Sequence, residues 1–138
     1  VSASSISYVA GVGAVFSGSI SLANNGGFAS VRSPSFAARG GAGVFLLTVR
    51  GDGKRYKFSV RMDAAFDAVS YQAAFQPPVG AWAVIRLVAD DFVPKWRGRI
   101  VGNAPQFDPA RMQQLGLLIA DNQVGMFRLE VGAVELAE

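Results

Sequence analysis

Val44-Phe45-Leu46-Leu47-Thr48-Val49-Arg50-Gly51-Asp52-Gly53-Lys54-Arg55-Tyr56-Lys57-Phe58-Ser59-Val60-Arg61-Met62 is the stretch on which the fold turns. In its second half Tyr56, Phe58, Val60 and Met62 alternate with Lys57, Ser59 and Arg61, the period of a strand with one buried and one wet face. The first half, Val44 to Arg50, is a short apolar run of strand length. Between them Gly51-Asp52-Gly53-Lys54 supplies an Asp-Gly pair, which accepts the positive φ angles of a tight turn, so the stretch predicts an antiparallel β-hairpin.

The same period of two recurs in Phe127, Leu129 and Val131 against Arg128 and Glu130, and more briefly in Tyr71, Ala73 and Phe75. Further strands are expected at Ala14 to Ser17, Ser19 to Leu22, Phe28 to Arg32, Trp82 to Val88 and Leu115 to Ala120, separated by Gly, Pro, Asn or Asp. Eight or nine short strands are the number of an all-β sandwich or jelly roll. Helix is scarce. Asp108-Pro109-Ala110-Arg111-Met112-Gln113-Gln114 has an Asp N-cap and a Pro at the first helical position, which predicts at most one short helix near 109–114.

The chain has 138 residues, 51% apolar and 17% charged, with 16 Gly and 6 Pro. That length suits one core, the hydrophobicity excludes a disordered segment, and the Gly and Pro content disfavours a helical bundle. Cysteine and histidine are both absent. Their absence removes Cys/His zinc sites, thiol nucleophiles, disulfides and Ser-His or Cys-His couples, so no catalytic residue, metal site or cofactor is assigned and the chain is read as a non-enzyme. The net charge of +3 is small. Its densest basic stretch, Arg50 to Arg61, also holds Asp52, which argues for a polar strand face rather than nucleic-acid binding. No apolar run approaches the roughly 18 residues that span a bilayer. We therefore expect a soluble protein with no membrane span, in an intracellular setting, since neither a disulfide nor an Asn-x-Ser/Thr sequon points outward.

Arg50-Gly51-Asp52 matches an adhesion tripeptide, but a turn after a strand ending in Arg explains it. Gly51-Asp52-Gly53-Lys54 has the end of a phosphate loop without its upstream Gly, its following Ser or Thr, or its helix. The carboxylate pairs Asp63/Asp67 and Asp90/Asp91 adjoin turn residues and read as solvated turns. Of the two tryptophans, Trp82 opens an apolar strand and is expected in the core. Trp96 lies in the basic loop Pro94-Lys95-Trp96-Arg97-Gly98-Arg99, which makes Trp96, Arg97 and Arg99 the candidate binding residues.

Four segments in order resemble the complex I intermediate-associated protein 30 family. They are Phe16 to Leu22 with Asn24 to Ser33; Val49 to Tyr56; Trp82 with Phe92-Val93-Pro94 and Arg97-Gly98-Arg99; and Leu115 to Gln123 with Gly125 to Val131. The resemblance implies a galactose-binding-like jelly-roll β-sandwich, with Phe28 as a core anchor. It also implies a chaperone-like, non-enzymatic assembly factor whose protein partner is a complex I subunit or assembly intermediate, in mitochondria or a bacterial cytoplasm. Carbohydrate or other small-ligand binding through edge loops is the alternative. The family pattern carries an upstream strand before the Ser-rich start, so the expectation is a single domain over 1–138, N-terminally truncated, with its first strand missing. Arg86 to Asp91 stands where relatives more often carry a Pro-Phe pair.

Overall fold

An alternating strand has one apolar face to bury, and two sheets satisfy that need by packing those faces together. The computed structural model describes residues 3–9, 13–20, 29–32, 44–62, 69–96, 99–102, 104, 107, 108, 111–119, 123 and 125–137. In chain order the strands are β1 (Ala3–Val9), β2 (Gly13–Ile20), β3 (Ala29–Arg32), β4 (Val44–Arg50), β5 (Tyr56–Arg61), β6 (Ser70–Phe75), β7 (Ala83–Val88), β8 (Val93–Trp96), β9 (Arg99–Ile100), β10 (Gln114–Ile119) and β11 (Gly125–Ala137). A 3-10 turn, Ala89–Asp91, leads into β8. One sheet has five strands in the order β1-β2-β11-β4-β7, and the other six in the order β3-β10-β5-β6-β8-β9. The strand pairs are antiparallel. The result is the all-β sandwich that the period of two predicted.

The core lies between the sheets. Phe16, Phe45, Leu47, Val49, Phe127 and Leu129 from the first sheet meet Tyr56, Phe58, Val60, Tyr71, Ala73, Phe75 and Ile119 from the second, all buried. Aromatic rings bridge the two layers: Phe45 and Phe58 stand 5.5 Å apart centre to centre, and Phe16 and Tyr56 6.4 Å. Phe92 and Phe107, 4.9 Å apart, close one end of the core.

The expected hairpin at Gly51–Lys54 is corrected. β4 pairs with β11 and β7, whereas β5 pairs with β10 and β6, so the two strands belong to opposite sheets. Alternation reports which face is buried and not which strand is the neighbour. Here the two apolar faces look at each other across the core, and Gly51 to Arg55 crosses the gap of roughly 10 Å between sheets. Gly53 does take positive φ, at 89°. At Gly51 a Cβ would stand 2.5 Å from Pro77 Cγ, so the crossing admits no side chain there.

Asp52 fixes this crossing. Its Oδ1 accepts from the Lys54 N–H at 3.1 Å and the Tyr56 hydroxyl at 3.0 Å, and its Oδ2 accepts from the Arg128 N–H at 2.8 Å. β11 pairs with β4 only as far as Glu130 opposite Arg50. Two residues earlier, at Arg128, the N–H points to the same side but β4 has already left the sheet, and the carboxylate takes the place of the missing strand. The side-chain amide of Gln123 bonds both backbone groups of Arg55, each at 2.8 Å, and Gln76 Nε2 donates to the Gly53 carbonyl at 2.7 Å. Burial, reinforced by the Asp52 charge, pushes the Tyr56 phenol far above its ordinary value and keeps it a neutral donor.

Eleven described strands replace the eight or nine expected. The segments 14–17 and 19–22 merge into β2 as far as Ile20, and β1, β8 and β9 are additions. The turn signal at Asp108 gives one turn, with the Arg111 N–H donating to the Asp108 carbonyl at 2.9 Å, and Gln114 already opens β10. Pro109 and Ala110 lie outside the described residues, as do Phe28, Asp63 and Asp67. Among the described residues no helix is long and apolar enough to cross a membrane.

Asp52→Ala removes one acceptor from three donors, one of them on a fully buried tyrosine. Bonds to a charged acceptor make this a loss of about 2 kcal/mol. Urea unfolding should show a lower midpoint at unchanged slope, with Asp52→Asn intermediate between the two.

Candidate functional site

Two surfaces carry the aromatic and basic residues that sequence singles out. The first is the hairpin of β8 and β9 at the edge of the six-stranded sheet. Trp96 pairs with Arg99 and Lys95 with Ile100, and the Val101 N–H extends the pairing by donating to the Pro94 carbonyl at 3.0 Å. The expected basic loop is therefore two strands joined at Arg97 and Gly98, both outside the described residues. Directly opposed residues share a face. Trp96 and Arg99 accordingly lie on one side of the hairpin, and Lys95 and Ile100 on the other. Val93, 37% exposed, has the parity of Lys95 and so shares that second side with Ile100, 71% exposed, while Trp96, 41% exposed, stands beside Arg99 on the first; each face of the hairpin carries exposed apolar surface next to a cation. Three large exposed apolar residues on eight of chain mark this edge as interactive surface.

At the base of the hairpin a recess of about 270 Å³ opens to solvent, lined by Tyr71, Asp90, Phe92, Pro94, Val101 and Phe107 among others. Burial pushes the Tyr71 phenol up, with Arg111 opposing. Asp91 is committed elsewhere: its Oδ2 accepts from the Val88 N–H at 2.8 Å, the ordinary use of an Asp in a turn. Among the described residues no group of three or more acidic side chains gathers as a metal site.

The second surface is the outer face of the five-stranded sheet. Trp82 was expected in the core and is instead 41% exposed, lying against Gly132 with the Arg50 guanidinium 4.8 Å from its ring centre. The signal was present in the alternation: Trp82, Val84 and Arg86 share one parity, and an Arg on a strand marks the wet face. Arg50 also binds Glu130 through both forks, Nε to Oε1 at 3.0 Å and Nη2 to Oε2 at 2.6 Å, and Arg128 Nε stands 3.6 Å from the same carboxylate. Hydrogen bonds from Arg50, opposed by burial and helped by the charges of Arg50 and Arg128, hold Glu130 below the usual 4.5. Arg50 and Asp52 are thus both engaged within the fold, which is the structural reading of Arg50-Gly51-Asp52.

A group with a lowered folded pKa stabilises above its unfolded pKa, and that contribution disappears as pH falls through the folded value. Thermal unfolding followed between neutral pH and about pH 3 should therefore show an acid loss of stability that is smaller in Glu130→Gln, which carries no titrating group at this position.

Comparison with known proteins agrees with this architecture. The chain matches in structure a family 11 carbohydrate-binding module from Clostridium thermocellum in complex with a β-1,3-1,4-mixed-linked tetrasaccharide. The TM-score is 0.67 at 13% identity, covering 99% of this chain and 82% of the module. The family 11 carbohydrate-binding module of the cellulosomal cellulase Lic26A-Cel5E of Clostridium thermocellum matches with a TM-score of 0.67 at 12% identity, covering 99% and 81%. Identities this low establish the shared jelly-roll fold alone. No curated protein matches the sequence. The profile of the Complex I intermediate-associated protein 30 (CIA30) family matches residues 1–131, and the chain belongs to that family.

Proposed function

We propose that this chain is a non-enzymatic protein-binding module that holds an assembly intermediate of respiratory complex I. The observation that carries the reading is the edge hairpin, where Trp96 stands exposed beside Arg99 on one face, and Val93 and Ile100 beside Lys95 on the other. Tryptophan and arginine supply most of the energy of protein interfaces because each offers a large flat surface with a polar or charged end. An incompletely assembled subunit exposes apolar surface that its own neighbours will later cover. Trp96 masks such a surface while Arg99 beside it, together with Arg97, selects acidic groups of the partner. Membership of the CIA30 family supports a complex I partner, and with it a mitochondrial or bacterial cytoplasmic setting is proposed.

A second reading has its own observation. The recess beside the hairpin is lined by aromatic side chains with one carboxylate, Asp90, and sugar rings stack on such surfaces. The fold is that of carbohydrate-binding modules.

Tagged protein purified from cells that make complex I should carry complex I subunits with it, and Trp96→Ala should lower their recovery about tenfold or more. A clean preparation without those subunits, together with heat on titrating a mixed-linked β-glucan oligosaccharide that Asp90→Ala abolishes, would move the assignment to the second reading.

A further inference from the structure

The recess at the base of the edge hairpin and the Trp96 side of that hairpin are parts of one surface. Tyr71 stands opposite Pro94, and Pro94 opposite Val101, whose N–H donates to the Pro94 carbonyl at 3.0 Å. Directly opposed residues share a face, so Pro94 and Val101 lie on the side that Tyr71 turns toward the core. Two residues nearer the hairpin tip the same face carries Trp96 and Arg99. These two therefore overhang the core on the side that lines the recess, about 7 Å beyond the row of Pro94 and Val101. The turn Ala89–Asp91 enters β8 at its other end, and there Asp90 lines the recess. An apolar hollow is thus flanked by a carboxylate at one end and a guanidinium at the other. Among the described residues neither the Asp90 nor the Arg99 side chain has a hydrogen bond or ion pair, whereas the neighbouring Asp91 is bonded to the Val88 N–H.

We infer that this surface binds an extended segment of the protein partner, with one apolar side chain seated in the recess, an acidic residue two positions away against Arg99, and a basic residue on the opposite flank against Asp90. The inference rests on the protein-binding reading above and gives the partner its chemistry at that site. The recess, about 270 Å³, lies near the lower bound of roughly 300 Å³ for ligand pockets, which suits a single side chain. Its walls are preformed. Phe107 packs on Tyr71 at 5.5 Å and on Phe92 at 4.9 Å, and all three are buried, so the hollow needs no ordering when it is filled. Same-face side chains of an extended chain recur every two residues, about 7 Å, which is the interval between the recess row and the row of Trp96 and Arg99. An extended segment therefore stays in step with both rows, and Trp96 offers its flat face to the methylenes beside the acid. Charge sets the direction. A segment laid the other way would put its base against Arg99 and its acid against Asp90, opposing like charges at both ends.

The probe is the heptapeptide Ser-Glu-Ser-Leu-Ser-Lys-Ser, titrated to about 10 mM, a range that reaches weak binding, while the amide chemical shifts of the chain are followed. The wild-type chain should bind it with shifts at the recess and the hairpin, and replacing its leucine by serine should weaken binding about tenfold or more. Ser-Lys-Ser-Leu-Ser-Lys-Ser should bind about two- to fivefold more weakly, the scale of an exposed charge pair. Arg99→Glu should reverse that order, with circular dichroism unchanged. Arg86→Glu, which alters an exposed cation on the other sheet, should leave the order as it is. Shifts that spare the recess, a leucine that serine replaces without loss, or an order that Arg99→Glu leaves unchanged overturns the inference. Complex I is absent from this experiment, so the two readings fail separately. The expected peptide order supports this site even where tagged protein recovers no complex I subunit, and its failure overturns the site even where the subunits are recovered.

Discussion

The Asp52 carboxylate is the joint between the two sheets. β4 ends at Arg50 in one layer and β5 begins at Tyr56 in the other, and the chain between them would leave donors stranded on both sides. Asp52 meets one from each: the Tyr56 hydroxyl at the start of β5 and the Arg128 N–H on β11, where β4 has departed. A serine or asparagine would offer fewer acceptors and no charge. Because the same carboxylate also closes the local turn onto Lys54, the direction of the crossing and the alignment of the sheets are set together.

What lies on the outside follows from that alignment. With Arg50 the last residue of β4, its side chain reaches Glu130 on the next strand and stacks over Trp82, so one guanidinium ties three segments together on the outer face. A buried ion pair alone is a weak source of stability, but a bidentate pair under a ring has little freedom to lose. The layer with Trp82 ends in β7 and the other in the β8–β9 hairpin. The proposed function uses the hairpin edge, where Trp96 with Arg99 and Ile100 with Lys95 set apolar surface next to a cation on each face.

Much of the fold was legible in the residues. Phe58 against Lys57, or Leu129 against Glu130, states which way each side chain faces, and the jelly-roll class follows from many such strands separated by turn residues. Partners were not legible, since period two is silent on pairing, and Gly51-Asp52-Gly53 serves a sheet crossing as readily as a hairpin. β1 escaped because Ser4, Ser5 and Ser7 give no apolar alternation, and β8 because Pro94, with no N–H for a ladder, argues against a strand that lies, as this one does, between two others, here β6 and the two-residue β9. Within the candidate site Trp96 and Arg99 were found by composition, while Trp82 was misplaced because the apolar run after it outweighed the parity it shares with Arg86. The Glu130 and Gln123 contacts join residues far apart in the chain, which sequence order does not reveal.

Family membership gives the chain its place among CIA30 proteins, and the crossing explains why Val49 to Tyr56 carries so much of that resemblance. Every residue from Gly51 to Tyr56 has a role in this joint as donor, acceptor or spacer. Amide hydrogen exchange at Arg128 tests the joint most directly, since only the Asp52 carboxylate stands where a strand would otherwise protect that N–H. The account predicts exchange as slow as that of the paired amides of β11, lost in Asp52→Ala. Exchange at the rate of an unbonded surface amide in the wild-type chain would contradict it.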